Sequence, residues 1–208
     1  MKTIEISKNH FGILASIDWN SNNWQDVPTE EDLLNSSFSF AIENEVTYTF
    51  MNFGFDNQLN GDNLHSALCP HIYSRLPDPE KRDSVKIVFM KSKNYHDNRT
   101  YLIGYYSFPK IYQHEKPSPN IEFCETLYVC IESKISDIVF FDEFIDLEEF
   151  DITRILPQNR QMGQMGYNYL TVNNSLEILD SIDRLRPAIS KHRSNKMRLL
   201  QYINSNKL

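Results

Sequence analysis

A chain of 208 residues that is 40% apolar and 24% charged, with 13 Phe and 11 Tyr, can bury enough surface to fold without cross-links and is not disordered. Its formal net charge of -7 argues against a protein that coats polyanions over its whole surface. No segment carries the roughly 18 uninterrupted apolar residues a membrane helix needs, and the opening MKTIEISKNH lacks the apolar core of a signal peptide, so a cytoplasmic location with no membrane contact is expected.

In chain order, FGILASI (11–17) is an apolar run suited to a strand, and DWNSNNWQD after it holds both tryptophans, Trp19 and Trp24, in a polar, loop-like stretch. TEEDLLNSS opens like a short helix. FSFAIENEVTYTFMNFGF alternates and predicts one or two strands, with Phe38, Phe40 and Ile42 on one face and Val46, Tyr48 and Phe50 on another. NGDN (60–63) and PDPEKRD (77–83) carry turn chemistry. Val85 to Met90 and Tyr101 to Phe108 form the clearest hairpin, joined by a polar connection containing Asn94, Asp97 and Asn98. After a Pro-containing loop at 117–119, TLYVCIES (126–133) reads as another strand, and VFFDEFIDLEEF as a short helix or irregular connection.

In the last third, NNSLEILDSIDRL sets Leu176, Leu179, Ile182 and Leu185 near helical spacing behind an Asn/Ser cap, and SKHRSNKMRLLQYINS is a second helix. No long repeat and no Gly/Ser linker divides the chain, so 1–208 reads as one α+β domain, strand-rich with short helices around it.

Cys69, Cys124 and Cys130 are an odd number at spacings that suit no disulfide framework and are expected reduced, with Cys124 and Cys130 on one side of a strand as small core residues. His65, Cys69 and His71 form H-x3-C-x-H, but structural zinc usually takes four ligands with CxxC pairs. No metal or other cofactor is expected. Charge is uneven along the chain: residues 1–75 hold ten acids against three bases, 81–116 eight bases against three acids, and 154–208 nine bases against three acids. Between the basic regions, 137–151 has seven acids and no base. A nucleic-acid groove built from the two basic regions is compatible with the acidic total, and so are ordinary solvated faces.

SVKIVFMKSKNYHDNRTYLIGYYSF is similar to the central hairpin of PUA-like domains, the superfamily that includes the EVE and YTH modified-base readers. NRQMGQMGYNYLTVNNSLEILDSI resembles their later turn, strand and helix, and FGILASIDWNSNNW their first strand and aromatic loop. The resemblance implies a PUA-like twisted mixed sheet or partial barrel flanked by short helices. It implies a non-enzymatic module that binds double-stranded DNA containing a modified, methylated base and flips that base into an aromatic pocket. It is nearest to the N-terminal specificity domains of McrBC-type restriction systems, which pair such a reader with a GTP-dependent motor and a nuclease subunit. No GxxxxGK[ST] P-loop occurs here, so a motor would lie on other sequence or another subunit.

On that resemblance Trp19 and Trp24 are stacking faces, Asp18, Asn22 and Asn23 address the base edge, and Tyr95 with Ser92 and Asn94 adds a face and polar partners. Lys91, Lys93 and Arg99 would meet phosphates, with Arg160 and the Gly163-Gln164 turn from the other side.

Two other classes stay open. Pro77-Asp78 with Glu132-Ser133-Lys134 has the form PD...ExK of metal-dependent nucleases. A protein-interaction module would use the acidic segments and the tryptophan loop as a contact site.

Overall fold

Six consecutive buried residues make Gly12–Ile17 the first strand, β1, and burial on both faces marks it as central rather than edge. The computed structural model describes residues 8–36, 38–54, 63–150, 155 and 166–208. Among them are β2 (Leu64–Ala67), β3 (Ile87–Lys93), β4 (Thr100–Ser107), β5 (Lys110–Pro117), β6 (Thr126–Lys134), β7 (Ile138–Asp146) and β8 (Tyr167–Leu170). The helices are α1 (Glu30–Leu34), α2 (Ser39–Asn44), α3 (Pro70–Ser74), α4 (Pro79–Ser84), α5 (Val172–Leu185) and α6 (Ser190–Asn206).

The strands form two sheets. One has five strands in the order β7-β4-β3-β1-β8, mixed because β1 and β3 run parallel while every other pair is antiparallel. The other is antiparallel, β2-β6-β5. This is an α+β arrangement of open sheets, not a closed barrel. No helix among the described residues is long and apolar enough to cross a membrane.

Alternation along β1 and β3 feeds two cores. Leu14, Ile87 and Phe89 pack with Leu179, Ile182 and Leu199 of α5 and α6. Ile13, Val88 and Met90 face the other way, onto Ile72 of α3 and Cys130 and Ile131 of the small sheet. In β4 the alternation breaks: Leu102 and Tyr105 share the first core, Ile103 and Tyr106 the second, and the pairing with β7 shifts register between Leu102 and Gly104. The bulge turns both tyrosines into the cores. A side chain at Gly104 would place its Cβ 2.3 Å from the Val139 carbonyl oxygen, so only glycine permits this approach.

Three elements differ from expectation. The alternating stretch is, over its described residues 38–54, the short helix α2 followed by turns, with Glu45 left-handed at the helix end. Phe40 and Ile42 are about half exposed, at 49% and 48%, while Ala41 between them is buried, so the alternation feeds no sheet. The acidic 139–150 stretch is mostly the edge strand β7, where Val139 and Phe141 face one core and Ile138 the other, with Asp142 and Glu143 exposed. An edge strand tolerates such charges because they discourage pairing with another chain. Cys124 lies before β6, its thiol donating to the Ser118 hydroxyl at 3.4 Å, so only Cys130 is a strand core residue.

The hairpin, β6 and both terminal helices lie where the sequence put them. Thr171, not the Asn/Ser run, caps α5: its hydroxyl accepts from the Asn174 backbone while the Asn174 side chain accepts from Thr171 N–H. The PDPEKRD turn contains α4, with Pro79 in its first turn.

Candidate functional site

The chain leaves β1 at Ile17 and turns back through the tryptophan loop. Asn20 closes that turn: its buried amide oxygen accepts from Asn22 N–H at 2.7 Å and Trp24 N–H at 3.3 Å, and its amide nitrogen donates to the Asp26 carbonyl at 3.0 Å. Asn23 and Trp24 both adopt left-handed φ, 60° and 54°, which directs the Trp24 side chain inward. Trp24 is fully buried and its indole N–H donates to the Asp18 carbonyl at 2.7 Å. It is a core residue and offers no face to a base, which corrects the expectation for this position. Trp19 is half-buried, edge-on to Trp24 with ring centroids 5.4 Å apart and also against Tyr101 and Phe144. Asn22 and Asn23 are exposed turn residues, and the Asn22 amide donates to the Val27 carbonyl.

Asp32, which sequence reasoning passed over, holds this loop to its surroundings. Its carboxylate accepts from the Ser21 N–H (3.0 Å) and hydroxyl (2.7 Å), the Thr29 N–H (2.9 Å) and the Tyr95 hydroxyl (3.1 Å). Burial pushes its pKa up, but the Ser21 and Thr29 donors outweigh it and the net shift is down. The only early hint was T-x-x-D, a capping box opening α1.

The expected hairpin residues are not assembled into one site. Tyr95 spends its hydroxyl on Asp32, and Asn94 accepts from the His96 N–H inside the turn. Ser92 is buried and donates to the Ile17 carbonyl at 2.9 Å, joining β3 to β1. Lys91 is only 5% exposed, and burial lowers its pKa to about 8, so it is no surface phosphate contact. Arg99 pairs with Asp146 at 3.0 Å, while Lys93 is exposed. Arg160, Gly163 and Gln164 lie outside the described residues.

A cavity of about 360 Å³ lies on the far side of Asp18. Phe38 and Phe40 come from α2 and its cap, Tyr48 from the following turn, Tyr73 from α3 and Tyr128 from β6. Tyr128 meets Tyr48 edge-on at 4.8 Å and Tyr73 at 5.5 Å. The cavity reaches the surface at Phe40 and Ser74, both exposed. Asn52 fixes one wall by pairing with Leu68 in both directions: it donates to the Leu68 carbonyl (2.8 Å) and accepts from the Leu68 N–H (2.9 Å).

Asp18 is the charged residue of this lining. It is 3% exposed, accepts from the Ser36 hydroxyl at 2.5 Å and the Thr47 hydroxyl at 2.9 Å, and has its pKa raised to about 6 by burial against the pull of those two donors. Each carboxylate oxygen still has room to accept another hydrogen bond. Of the residues expected to bind a base, Asp18 is the one placed in the cavity. The aromatic walls come from four separate segments, which alternation and propensity do not reveal.

The metal-binding patterns divide among separate partners. Asp78 is exposed and paired with Lys81, whereas Glu132 is held by Lys116 at 3.1 Å and Tyr112 at 3.0 Å. His65 donates through Nε2 to the Asn52 carbonyl, and Cys69 N–H donates to the Cys130 sulfur. Among the described residues no group of three or more His, Cys, Asp or Glu could hold a metal ion. Comparison of the chain with protein-family models, curated proteins and solved structures finds no match to any of them.

Proposed function

We propose that this chain is a nucleobase reader of the PUA-like kind, in which a modified base extruded from double-stranded DNA enters the aromatic cavity and is addressed at its edge by Asp18. The observation that carries this reading is the meeting of five aromatic side chains and one buried carboxylate around about 360 Å³, a volume within the usual range for small-ligand sites. Flat apolar walls reward a planar ring, and a carboxylate accepts from an amino or ring N–H. The base receptor is then the Phe38, Tyr48, Tyr73 and Tyr128 cluster, with the tryptophan loop as the frame that holds Asp18. A GTP-dependent motor and a nuclease subunit would be the partners of a restriction system built on such a reader.

A protein-binding role has its own support: Leu34, Phe40 and Ile42 are exposed at 67%, 49% and 48%, beside the exposed acids Glu43 and Glu45.

Fluorescence anisotropy at low and moderate salt separates the two, using matched duplexes that are unmodified, N6-methyladenine-containing or 5-methylcytosine-containing. The reader predicts salt-dependent binding with a preference for a modified duplex. Tyr128→Ala should weaken it roughly 5- to 150-fold, the worth of one stacking contact. Equal binding to all three duplexes, or no binding to these or to duplexes carrying a ring-N-methylated base, overturns it.

A further inference from the structure

We propose, resting on the reading of the cavity as a base receptor, that the preferred occupant is a positively charged base, methylated on a ring nitrogen of its pairing edge, as in 1-methyladenine or 3-methylcytosine. The site is built around an uncompensated anion. Asp18 is buried at the cavity wall, and among the described residues no Lys, Arg or His forms an ion pair with it. Its two partners, the Ser36 and Thr47 hydroxyls, donate to the carboxylate and partly offset the burial that favours the acid, which leaves it ionised at neutral pH.

A neutral ligand that fills the cavity strips the remaining water from this charge and returns one hydrogen bond. A cationic ligand returns a counter-charge in a poorly screened setting. The walls act in the same direction, because the faces of Phe38, Phe40, Tyr48, Tyr73 and Tyr128 carry the negative lobe of the ring quadrupole and attract a cation. So does the segment that supplies much of the wall: residues 38–54 contain Glu43 and Glu45 and no Lys or Arg.

The chemistry of the ligand closes the argument. Methylation at adenine N1 or cytosine N3 places a positive charge on the ring, leaves the exocyclic nitrogen able to donate to a carboxylate, and blocks Watson–Crick pairing. A base that is already unpaired is the least costly to extrude, which matters for a protein whose net charge of -7 works against phosphate binding. The same cation exists in a strand and as a free nucleoside, and both sources present the same edge to Asp18.

The test is titration calorimetry of the full chain with two isomer pairs, 1-methyladenosine against N6-methyladenosine and 3-methylcytidine against 5-methylcytidine. Parallel anisotropy uses duplexes carrying the same four bases, and tetramethylammonium serves as a competitor. Within each pair the cation should bind at least about tenfold more tightly, the sum of a desolvated cation–π contact and a charge-assisted hydrogen bond. Asp18→Asn, near-isosteric and checked for folding by circular dichroism, should lower the cation's affinity far more than the neutral isomer's and so shrink that preference to the part the aromatic walls supply. Tetramethylammonium should compete with the cation on the unaltered protein, a readout that needs no variant.

Equal or reversed affinity within the pairs, with binding to a modified duplex retained, overturns the charge preference and leaves the reader standing. Tetramethylammonium binding with no affinity for any nucleoside or duplex overturns both in favour of a methylammonium receptor. Binding of the nucleosides but not the duplexes keeps the charge preference and assigns it to a free ligand.

Discussion

The Trp24 indole N–H donates to the carbonyl oxygen of Asp18 at 2.7 Å, so the residue that fills the core beneath the loop also fixes the backbone of the residue that faces the cavity. The opposite side of Asp18 is held by Ser36 and Thr47. Two polar clamps thus position one carboxylate, and the loop's tryptophan acts through structure.

Trp24→Phe should therefore keep most of the packing and lose the clamp. Leaving the buried Asp18 carbonyl without its donor costs about 1–3 kcal/mol, and Trp24→Ala, which also opens a cavity, about 3–5 kcal/mol. Trp19, half-buried, should cost less when truncated. Urea denaturation of the three variants checks the order. Acrylamide quenching adds an independent readout, because the emission that survives in Trp19→Phe belongs to a fully shielded indole. A Trp19 variant less stable than Trp24→Ala would contradict the assignment of Trp24 to the core.

Asp18 carries a pH signature of its own. Its folded pKa is raised from 3.8 to about 6, so between those values the folded chain holds a proton that the unfolded chain has released. The contribution to stability is present below the unfolded value and is lost as pH rises through the folded one, with a span of up to about 3 kcal/mol. Asp18→Asn removes the ionisation. The variant should be more stable than the parent at pH 8, with the gap closing toward pH 4, and urea midpoints across that range measure it. A variant less stable at pH 8 would show that the carboxylate is compensated in the folded protein.

The elements that were legible are those whose pattern has one meaning. Val85–Met90 and Tyr101–Phe108 each have the length, β-branched and aromatic content and polar connection of a hairpin, and Leu179 and Ile182 repeat with a helical period onto one core. The stretch from Phe38 to Phe50 was not legible, because its alternation arises from residues that line a cavity and a surface rim, with no sheet edge to pair with. The site was half legible for the same reason. Asp18 stands out as an acid directly after a buried strand, but Tyr48, Tyr73 and Tyr128 become neighbours only through the packing of α3 and β6. Asp32 and Asn52 are ordinary polar residues in sequence and hubs in the fold because each meets several donors or acceptors from distant segments.

Gly104→Ala should be among the most damaging single-methyl additions. The new Cβ would meet the Val139 carbonyl oxygen at 2.3 Å and the Phe53 ring at 2.9 Å, and the first is backbone of the paired strand β7. Relief requires the bulge to open, which unseats Tyr105 and Tyr106 from the two cores. A loss at the upper end of the about 1–3 kcal/mol usual for overpacking is expected, read as a lowered urea midpoint. Gly12→Ala, whose closest contact is the Ser175 hydroxyl at 2.4 Å, a side-chain atom that can turn away at the cost of its bond to the Thr171 carbonyl, should cost less. Equal midpoints for the two variants would count against the bulge as the reason for glycine at 104.

The second titrating lock joins α6 to the large sheet. His192 is fully buried on α6, with the Tyr105 hydroxyl 2.9 Å from Nδ1 and both the Leu179 carbonyl and the Asp183 carboxylate 3.2 Å from Nε2. Two acceptors at Nε2 place the proton there, so Nδ1 accepts from Tyr105. Burial lowers the imidazole pKa from 6.5, with Asp183 opposing that shift and Lys196, itself paired with Asp180 and Asp183, assisting it. The sign is the reverse of that for Asp18. A base with a depressed folded pKa contributes stability that is complete above the unfolded value of 6.5 and is lost as pH falls through the folded one. The parent should lose stability through this residue on acidification from pH 7 while gaining it through Asp18, and the two trends partly cancel. His192→Phe removes the titration but leaves the Tyr105 hydroxyl without its partner, costing about 1–3 kcal/mol at pH 8 and less at pH 5. In an Asp18→Asn background, where the opposing trend is gone, urea midpoints should fall on acidification and His192→Phe should flatten that fall. A fall of unchanged slope in the double variant would assign the acid sensitivity to another group.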